Sequence, residues 1–342
     1  MTTFRNISCG LGCISAFLLT MASSAQAFTA CQVTDTGGID DNSFNQTAWK
    51  GVEDAMADFG IDGRFLESQA ETDYEANINS LIEGDCDIII TVGFLLGDAT
   101  QKAANANPDQ RFSIVDFAYD PAIPNVLGQV YSTDEAAFLA GYLAAGMSET
   151  KVLGVFGGIN IPPVTIFMDG FVRGVDYYNE QKGTAVSVLG WDVDSREGLF
   201  TNNFDSLDDG RAFAQNLYDE GADIVLPVAG PVGLGSAALA DELGTDSLKI
   251  IGVDADLYLT DPEKRHVYLT SITKRMDATV KEVIEAAMND TFEGGVLVGS
   301  LANSGVDLAP FHDMESAVPQ ELQAELAGIH AGIIAGTISV RP

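Results

Sequence analysis

Residues 35–46 concentrate carboxylate and amide side chains around a single aromatic ring, Phe44. The polar members of this cluster are Asp35, Asp40, Asp41, Asn42 and Asn45. Ionised carboxylates only accept hydrogen bonds, and the ring offers a stacking face. The set therefore suits a flat, polar-edged, neutral or cationic small molecule and disfavours phosphate. The same residues are equally consistent with an acidic helix cap whose ring packs in the core.

The elements around this cluster predict a ligand site at the end of a strand. An apolar strand, Phe28–Thr34, precedes it, and Gly37 and Gly38 allow a sharp turn. Ser43 and Gln46 have the spacing of a capping box, which predicts a helix beginning at Ser43. A loop between a parallel strand and a helix amino terminus is where open α/β sheets bind ligands.

Along the rest of the chain, apolar strand-like runs alternate with amphipathic helical runs, which predicts an α/β fold with parallel sheets. The further predicted strands are Arg64–Glu67, Asp87–Val92, Phe112–Phe117, Val152–Phe156, Ala185–Leu189, Ile224–Val228, Leu248–Val253 and Val267–Thr273. The predicted helices between them include Tyr74–Ile82, Glu135–Met147, Val164–Tyr178, Arg211–Tyr218, Leu234–Leu243 and Ala278–Met288. A second strand-loop-helix series begins near Tyr131, so we expect two lobes.

Other loops at predicted strand ends carry residues that could line a cleft between two lobes. Gly93 permits close approach of the backbone, and Gly157 repeats this glycine pattern in the second half of the chain. Asp116 can accept hydrogen bonds from a ring N–H or an amino group. An ordinary turn or helix cap is the alternative explanation for each of them.

Asp254 and Lys274 end two later strands and together would form a clamp for hydroxyl groups. One carboxylate can accept hydrogen bonds from two adjacent hydroxyl groups, while the ammonium group donates. The glycine-rich loop 226–236 lacks the Lys-Ser or Lys-Thr that a P-loop requires, so it does not predict a phosphate site.

The pattern D-x-G-G-I-D-D-x-S-F-N-Q-x-x-W-x-G, residues 35–51, resembles the signature of the basic membrane protein family. These are purine-nucleoside-receptor-like substrate-binding proteins of ABC transporters. The resemblance implies the type I periplasmic binding protein fold, an α/β fold with two Rossmann-like lobes joined by a three-crossing hinge. By analogy the hinge crosses near Tyr131–Thr133, Ser271–Lys274 and Leu297–Leu301. The implied lobes are residues 28–131 plus 274–297, and 132–273 plus 298–342.

The resemblance also implies roles for individual residues. Phe44 would stack on the base of a nucleoside, and Asp35, Asn45 and Asp116 would bind the edge of that base. Gly230, Asp254 and Lys274 would hold the sugar. A second stacking aromatic is usual upstream of the glycine, but Leu226 stands at that position and Pro231 replaces a second glycine. These departures put two-sided stacking and a purine preference in question.

The amino terminus predicts export. Residues 1–27 contain one charge, Arg5, an apolar run Leu11–Met21, and small residues before Phe28, as in a cleaved signal peptide. The apolar run is too short for a membrane anchor, which needs about 20 residues. We therefore expect a periplasmic protein. The family resemblance implies an ABC permease as its partner, and we expect a monomer.

Two of the four cysteines, Cys9 and Cys13, lie in the predicted signal peptide, which leaves Cys31 and Cys86. A pair of cysteines in an exported protein predicts a disulfide bond, and two buried thiols are the alternative.

The chain is strongly acidic, with 50 Asp and Glu against 17 Lys and Arg and a formal charge of −33. Loss of Arg5 with the signal peptide makes the charge −34. Such a surface repels nucleic acid and anionic membranes, so neither is an expected partner. Solubility or a salt-rich habitat accounts for the acidity equally well.

Enzyme motifs give little support to catalysis. The three histidines, His266, His312 and His330, lack metal-ligand spacing, and H-E-x-x-H and G-x-S-x-G are missing. We predict no cofactor and no metal site. The sequence predicts a nucleoside-binding protein of an ABC importer. A sugar receptor of the same fold is one alternative, and a secreted nucleoside hydrolase using Asp40 or Asp41 with Asp254 is another.

Overall fold

The computed structural model describes residues 1–3 and 27–341. The predicted signal peptide, except residues 1–3 and 27, lies outside the described residues. The strands are β1 (Thr29–Val33), β2 (Asp62–Leu66), β3 (Ile88–Val92), β4 (Arg111–Val115), β5 (Val126–Tyr131), β6 (Val152–Gly157), β7 (Ser187–Leu189), β8 (Trp191–Asp192), β9 (Glu197–Gly198), β10 (Ile224–Val228), β11 (Lys249–Asp254), β12 (Tyr268–Lys274), β13 (Gly295–Gly299) and β14 (Val306–Leu308). The helices are α1 (Phe44–Phe59), α2 (Tyr74–Glu83), α3 (Gly97–Ala106), α4 (Thr133–Met147), α5 (Pro162–Lys182), α6 (Leu207–Asp219), α7 (Gly233–Leu243), α8 (Leu257–Thr260), α9 (Met276–Met288) and α10 (Gln320–Ile334).

Two six-stranded sheets form the two halves of the molecule. The first has the order β13-β5-β4-β3-β1-β2, and its strand pairs are parallel. The second has the order β14-β12-β11-β10-β6-β7, with β14 antiparallel to β12. The central strands β1, β3 and β10 are buried throughout, as expected for parallel strands covered by helices on both faces.

The chain passes between the sheets three times. The first passage follows β5, the second follows β12, and the third joins β13 to β14. These passages lie at the predicted hinge positions, and the α/β architecture agrees with the predicted fold. The exact lobe boundaries given above stay a prediction.

Glycines allow the two long helices of the second half to pack closely. A Cβ atom on Gly141 of α4 would collide with the Phe171 carbonyl oxygen of α5, and one on Gly174 would collide with that of Phe138. The helix α4 is buried along almost its whole length. It therefore forms part of the buried core of the second half.

The capping-box prediction for α1 was wrong. The helix begins at Phe44 with Ser43 as its N-cap, but the Ser43 side chain makes no capping hydrogen bond. Asp41 accepts the backbone N–H groups of Ser43, Asn45 and Gln46 instead. A carboxylate has two oxygens, so it can satisfy several of the free N–H groups at a helix start.

The other predicted strands and helices agree with the structure to within a few residues, but β5, β8, β9, β13, β14, α8 and α10 were missed. Cys31 and Cys86 form a disulfide bond in the structure, with their Cα atoms 6.0 Å apart. Of the helices in the described residues, none combines the length and apolar character needed to cross a membrane.

Candidate functional site

A cavity lies between the carboxyl ends of the two sheets, with about 570 Å³ of space including the part open to solvent. The first half of the chain contributes the lining residues Asp35, Asp41, Phe44, Asn45, Gly93, Phe94, Leu95 and Asp116. The second half contributes Ile161, Pro163, Val164, Phe167, Phe204, Val228, Ala229, Gly230, Pro231, Val253, Asp254 and Lys274.

Asn45 is held in one orientation by the two carboxylates beside it. Its Nδ2 donates to Asp35 Oδ1 at 2.8 Å and to Asp41 Oδ2 at 3.2 Å. Its Oδ1 is buried and has no hydrogen-bond partner among the described residues. A buried acceptor without a partner is costly, so a ligand donor at this position would be favourable.

Asp35 follows β1 and is buried against Gly93. Besides Asn45, the backbone N–H of Gly37 donates to its Oδ1 at 3.0 Å. Gly93 has φ of 120°, and a Cβ atom there would lie 3.1 Å from Asp35 Oδ2. A side chain at Gly93 is therefore excluded both by its backbone conformation and by the carboxylate.

Lys274 joins the two halves at the end of β12. Its Nζ lies 2.6 Å from Asp116 Oδ2 in the first half and 3.4 Å from Asp254 Oδ1 in the second half. Asp116 follows the last residue of β4, and Asp254 is the last residue of β11. Their φ angles are 65° and 70°, a left-handed conformation that is uncommon outside glycine. Strained backbone of this kind is concentrated at functional sites.

Burial dominates the titration of this cluster. It raises the pKa of Asp35, opposed by hydrogen bonds from Asn45 and Gly37. It raises the pKa of Asp116, opposed by Lys274, and it raises the pKa of Asp41 to about 7 despite three backbone N–H donors. For Lys274 burial acts in the opposite direction, but the charges of Asp116 and Asp254 outweigh it and raise the pKa. The ammonium group is therefore firmly charged.

Aromatic side chains enter the cavity from both halves. Phe44 and Phe94 lie on the side of the first sheet, and Phe167 and Phe204 on the side of the second. The Lys274 Nζ lies 5.1 Å from the ring centroids of both Phe44 and Phe167, within the range of cation–π contact. Flat ligands can therefore meet aromatic faces from either side of the cleft.

The structure brings together most of the site residues predicted from sequence. Those that line the cavity are Asp35, Phe44, Asn45, Gly93, Asp116, Gly230, Asp254 and Lys274. Gly157 and Leu226 are not among the lining residues. Leu226 is fully buried inside β10, so its predicted place beside the ligand is at odds with the structure.

Gly157 also has a different role from the predicted one, because it does not line the cavity. Its backbone N–H donates to the Leu199 carbonyl oxygen at 2.9 Å, and a Cβ atom there would collide with Phe200. A Cβ atom on the neighbouring Gly158 would collide with the Phe204 ring. The paired glycines thus make room for the segment that carries Phe204 into the cavity.

The sequence interpretation missed Phe204. Phe204 follows the short hairpin β8–β9, far from any predicted strand end. The available signal in the sequence was a lone aromatic in the polar stretch 201–206. Because Phe204 lies in the cavity, the second half supplies an aromatic ring even though Leu226 stands where a second stacking aromatic is usual.

The chain was compared with known proteins. A family model described as ABC transporter substrate-binding protein PnrA-like matches residues 28–341. The chain is 31% identical over 327 residues to the ABC transporter nucleoside-binding protein BmpA of Lactococcus lactis, covering 91% of this chain and 88% of the relative. It is 31% identical over 301 residues to Basic membrane protein A of Borreliella burgdorferi, covering 87% and 83%.

Solved structures of other proteins have the same fold as this chain. The crystal structure of an ABC transporter system solute-binding protein from Aeropyrum pernix K1 matches with a TM-score of 0.82 at 24% identity, covering 91% of this chain and 92% of that chain. The architecture is that of the type I periplasmic binding fold. The family match over nearly the whole chain and the identity to curated relatives lead to one conclusion: this chain belongs to the basic membrane protein family of PnrA-like ABC transporter substrate-binding proteins.

Proposed function

We propose that the protein is the exported receptor of an ABC importer and binds a nucleoside, with purine nucleosides as the first candidates. The observation that carries this proposal is the cavity itself. Aromatic rings approach it from both halves, buried hydrogen-bond acceptors stand at one side, and an Asp254–Lys274 pair stands at the other. This combination fits a molecule with a flat base and a hydroxylated sugar.

The base would lie against Phe44, with Phe204 on the side of the second lobe. Its edge would meet Asp35, Asn45 and Asp116. Since the free oxygen of Asn45 is an acceptor, a base with N–H groups on its edge suits this position. Stacking on aromatic side chains contributes about 1–3 kcal/mol per base in single-strand nucleic-acid binding.

The sugar would lie against Gly230, Asp254 and Lys274. Asp254 can accept hydrogen bonds from two neighbouring hydroxyls, and Lys274 can donate to a hydroxyl or ring oxygen. Gly230 has φ of 53°, and no atom lies within 4 Å of a Cβ built there. Its backbone is therefore open to a ligand atom, and a sugar hydroxyl could approach it closely.

The cluster disfavours a nucleotide. Four buried carboxylates, those of Asp35, Asp41, Asp116 and Asp254, line the cavity, and Lys274 is the one cation among its lining residues. A phosphate group would add further negative charge to a site where burial already penalises ionised carboxylates. An intact nucleoside without phosphate is the ligand that this charge balance favours.

The hydrogen bonds of Asp41 and the exposure of Asp40, the two candidate catalytic carboxylates, favour a receptor over a hydrolase. Asp41 accepts three backbone N–H groups and one side-chain N–H, so its oxygens are engaged in the start of α1. Asp40 is exposed and does not line the cavity. The name of the Lactococcus lactis relative, a nucleoside-binding protein, supports the same choice.

The test is a thermal-shift screen of residues 28–342 against nucleosides, free bases, nucleotides and monosaccharides. We expect a rise in Tm with intact nucleosides, because a ligand that binds only the folded state stabilises it. Chromatography of the ligand after incubation should show no free base. A response limited to monosaccharides would replace the proposal by a sugar receptor, and release of free base would replace it by a hydrolase.

A further inference from the structure

We infer that Ser43 is a positioning residue that fastens the two lobes together over the ligand. Its hydroxyl group lies at the start of α1 in the first lobe. It donates to the Val253 carbonyl oxygen of the second lobe at 3.0 Å and lies 3.4 Å from Asp254 Oδ2. The inference rests on the proposed function only in the choice of ligand used to test it.

The local structure explains why this hydroxyl is free to reach the other lobe. At most helix starts a serine N-cap turns its side chain back onto its own helix. In this chain Asp41 accepts the N–H groups of Asn45 and Gln46, which such a serine would otherwise satisfy, and it also accepts the N–H of Ser43. The Ser43 hydroxyl is therefore left without a partner in its own helix and points across the cleft.

The contact is enclosed by protein. Ser43, Val253 and Asp254 are all buried, with 1%, 3% and 6% of their surfaces exposed. A hydrogen bond removed from water in this way leaves an unsatisfied carbonyl oxygen and hydroxyl group if the lobes separate without water entering. Opening must therefore exchange this bond for hydration, which gives the bond a direct role in the closing equilibrium.

Ser43 also acts on the carboxylate that we assign to the sugar. Lys274 lies beside Asp254 Oδ1, and Ser43 lies beside Asp254 Oδ2. The hydroxyl has one proton, so the contact with Oδ2 is the weaker branch of a hydrogen bond shared with the Val253 carbonyl oxygen. The two contacts meet different oxygens of the carboxylate and together favour one orientation of it. Asp254 has a left-handed backbone with φ of 70°, so this support also helps to keep an uncommon conformation in place.

Because the bond exists only when the lobes are together, it should slow ligand release and have little effect on ligand capture. We expect Ser43→Ala to raise the dissociation rate of a bound nucleoside about two- to tenfold, the factor that corresponds to one net hydrogen bond. The association rate should stay within error of the wild type. A structural defect in the first lobe would instead reduce the association rate or the amount of active protein.

The experiment measures stopped-flow rates with adenosine and guanosine as probes for the wild type, Ser43→Ala and the control Ser80→Ala. Ser80 also belongs to the first lobe, and its hydroxyl bonds the Ala76 carbonyl oxygen within its own helix at 2.9 Å. We expect faster release only in Ser43→Ala. Unchanged release in that variant, or equal acceleration in both variants, would overturn the inference.

Small-angle X-ray scattering of the same proteins without ligand gives a second measurement, the radius of gyration, that needs no nucleoside. We expect a larger radius of gyration for Ser43→Ala than for the wild type and Ser80→Ala, since the closed form loses a bond between lobes. Equal radii in all three would count against the inference. If neither probe binds the wild type, the proposed function fails, while scattering still decides the part played by Ser43.

Discussion

Replacing Lys274 with methionine should destabilise the protein strongly. Its ammonium group is 3% exposed and compensates Asp116 at 2.6 Å and Asp254 at 3.4 Å. Methionine keeps much of the apolar stem but leaves both buried carboxylates without their cation. Breaking a buried ion pair by removing one partner typically costs about 3–5 kcal/mol, and we expect a loss of that size in the free energy of unfolding near pH 8.

The loss in the free energy of unfolding caused by Lys274→Met should become smaller at lower pH. Burial already raises the pKa of Asp116 in the folded state above its unfolded value of about 3.9. A raised folded pKa means that Asp116 favours folding at low pH and loses this contribution as pH rises through the folded pKa. Removing Lys274 removes a contact that lowers this pKa and so raises it further, and protonation should relieve the variant more at pH 5 than at pH 8.

The assay is urea unfolding of wild type and variant at pH 5 and pH 8. The control is Lys281→Met, which removes an exposed ion pair with Asp58 between α9 and α1. Exposed pairs contribute little, so the control should unfold at nearly the wild-type midpoint. Equal losses in both variants, or a loss in Lys274→Met that does not change with pH, would refute this account of the ion cluster.

Three further predictions concern other parts of the structure. Phe204→Ala should weaken nucleoside binding by about 1–3 kcal/mol in calorimetry, and an equal loss of affinity for free ribose would argue against stacking on a base. Asp41 has a pKa raised to about 7, so its contribution to stability should fall as pH rises from about 4 to 7. Asp41→Asn should flatten this part of the pH profile of unfolding, and an unchanged slope would contradict the assignment. Replacing Cys31 and Cys86 with alanine should lower the free energy of unfolding by about 2–4 kcal/mol, and identical denaturation curves would show that the bond does not stabilise the fold.

The sequence was most informative where a local pattern determines the structure. Buried parallel strands such as β3 and β10 appear as short apolar runs, and the side chains at their ends converge because parallel strands share one carboxyl edge. Asp116 and Asp254 could therefore be placed in the cleft before any coordinates. The edge strand β13 was missed because its apolar run, Val296 to Val298, is only three residues long between glycines.

Tertiary contacts determine the two features that the sequence did not predict, the capping of α1 and the position of Phe204. The capping box at Ser43 and Gln46 is a local pattern, but the Asp41 carboxylate competes for the same N–H groups and accepts them. Phe204 could not be placed because its position depends on the backbone pairing of Gly157 with Phe200, 43 residues along the chain. A local pattern carries no information about such long-range pairing.

The most direct test of the central claim is calorimetry of residues 28–342 with a purine nucleoside, its free base and ribose, together with analysis of the recovered ligand. We predict binding of the intact nucleoside on the order of −8 kcal/mol or better, a sub-micromolar Kd, because both the aromatic and the hydroxyl-binding parts of the cavity are then occupied. The free base and ribose should each bind far more weakly, and the nucleoside should be recovered intact. Equal affinity for ribose alone, or no heat with any nucleoside, would contradict the claim.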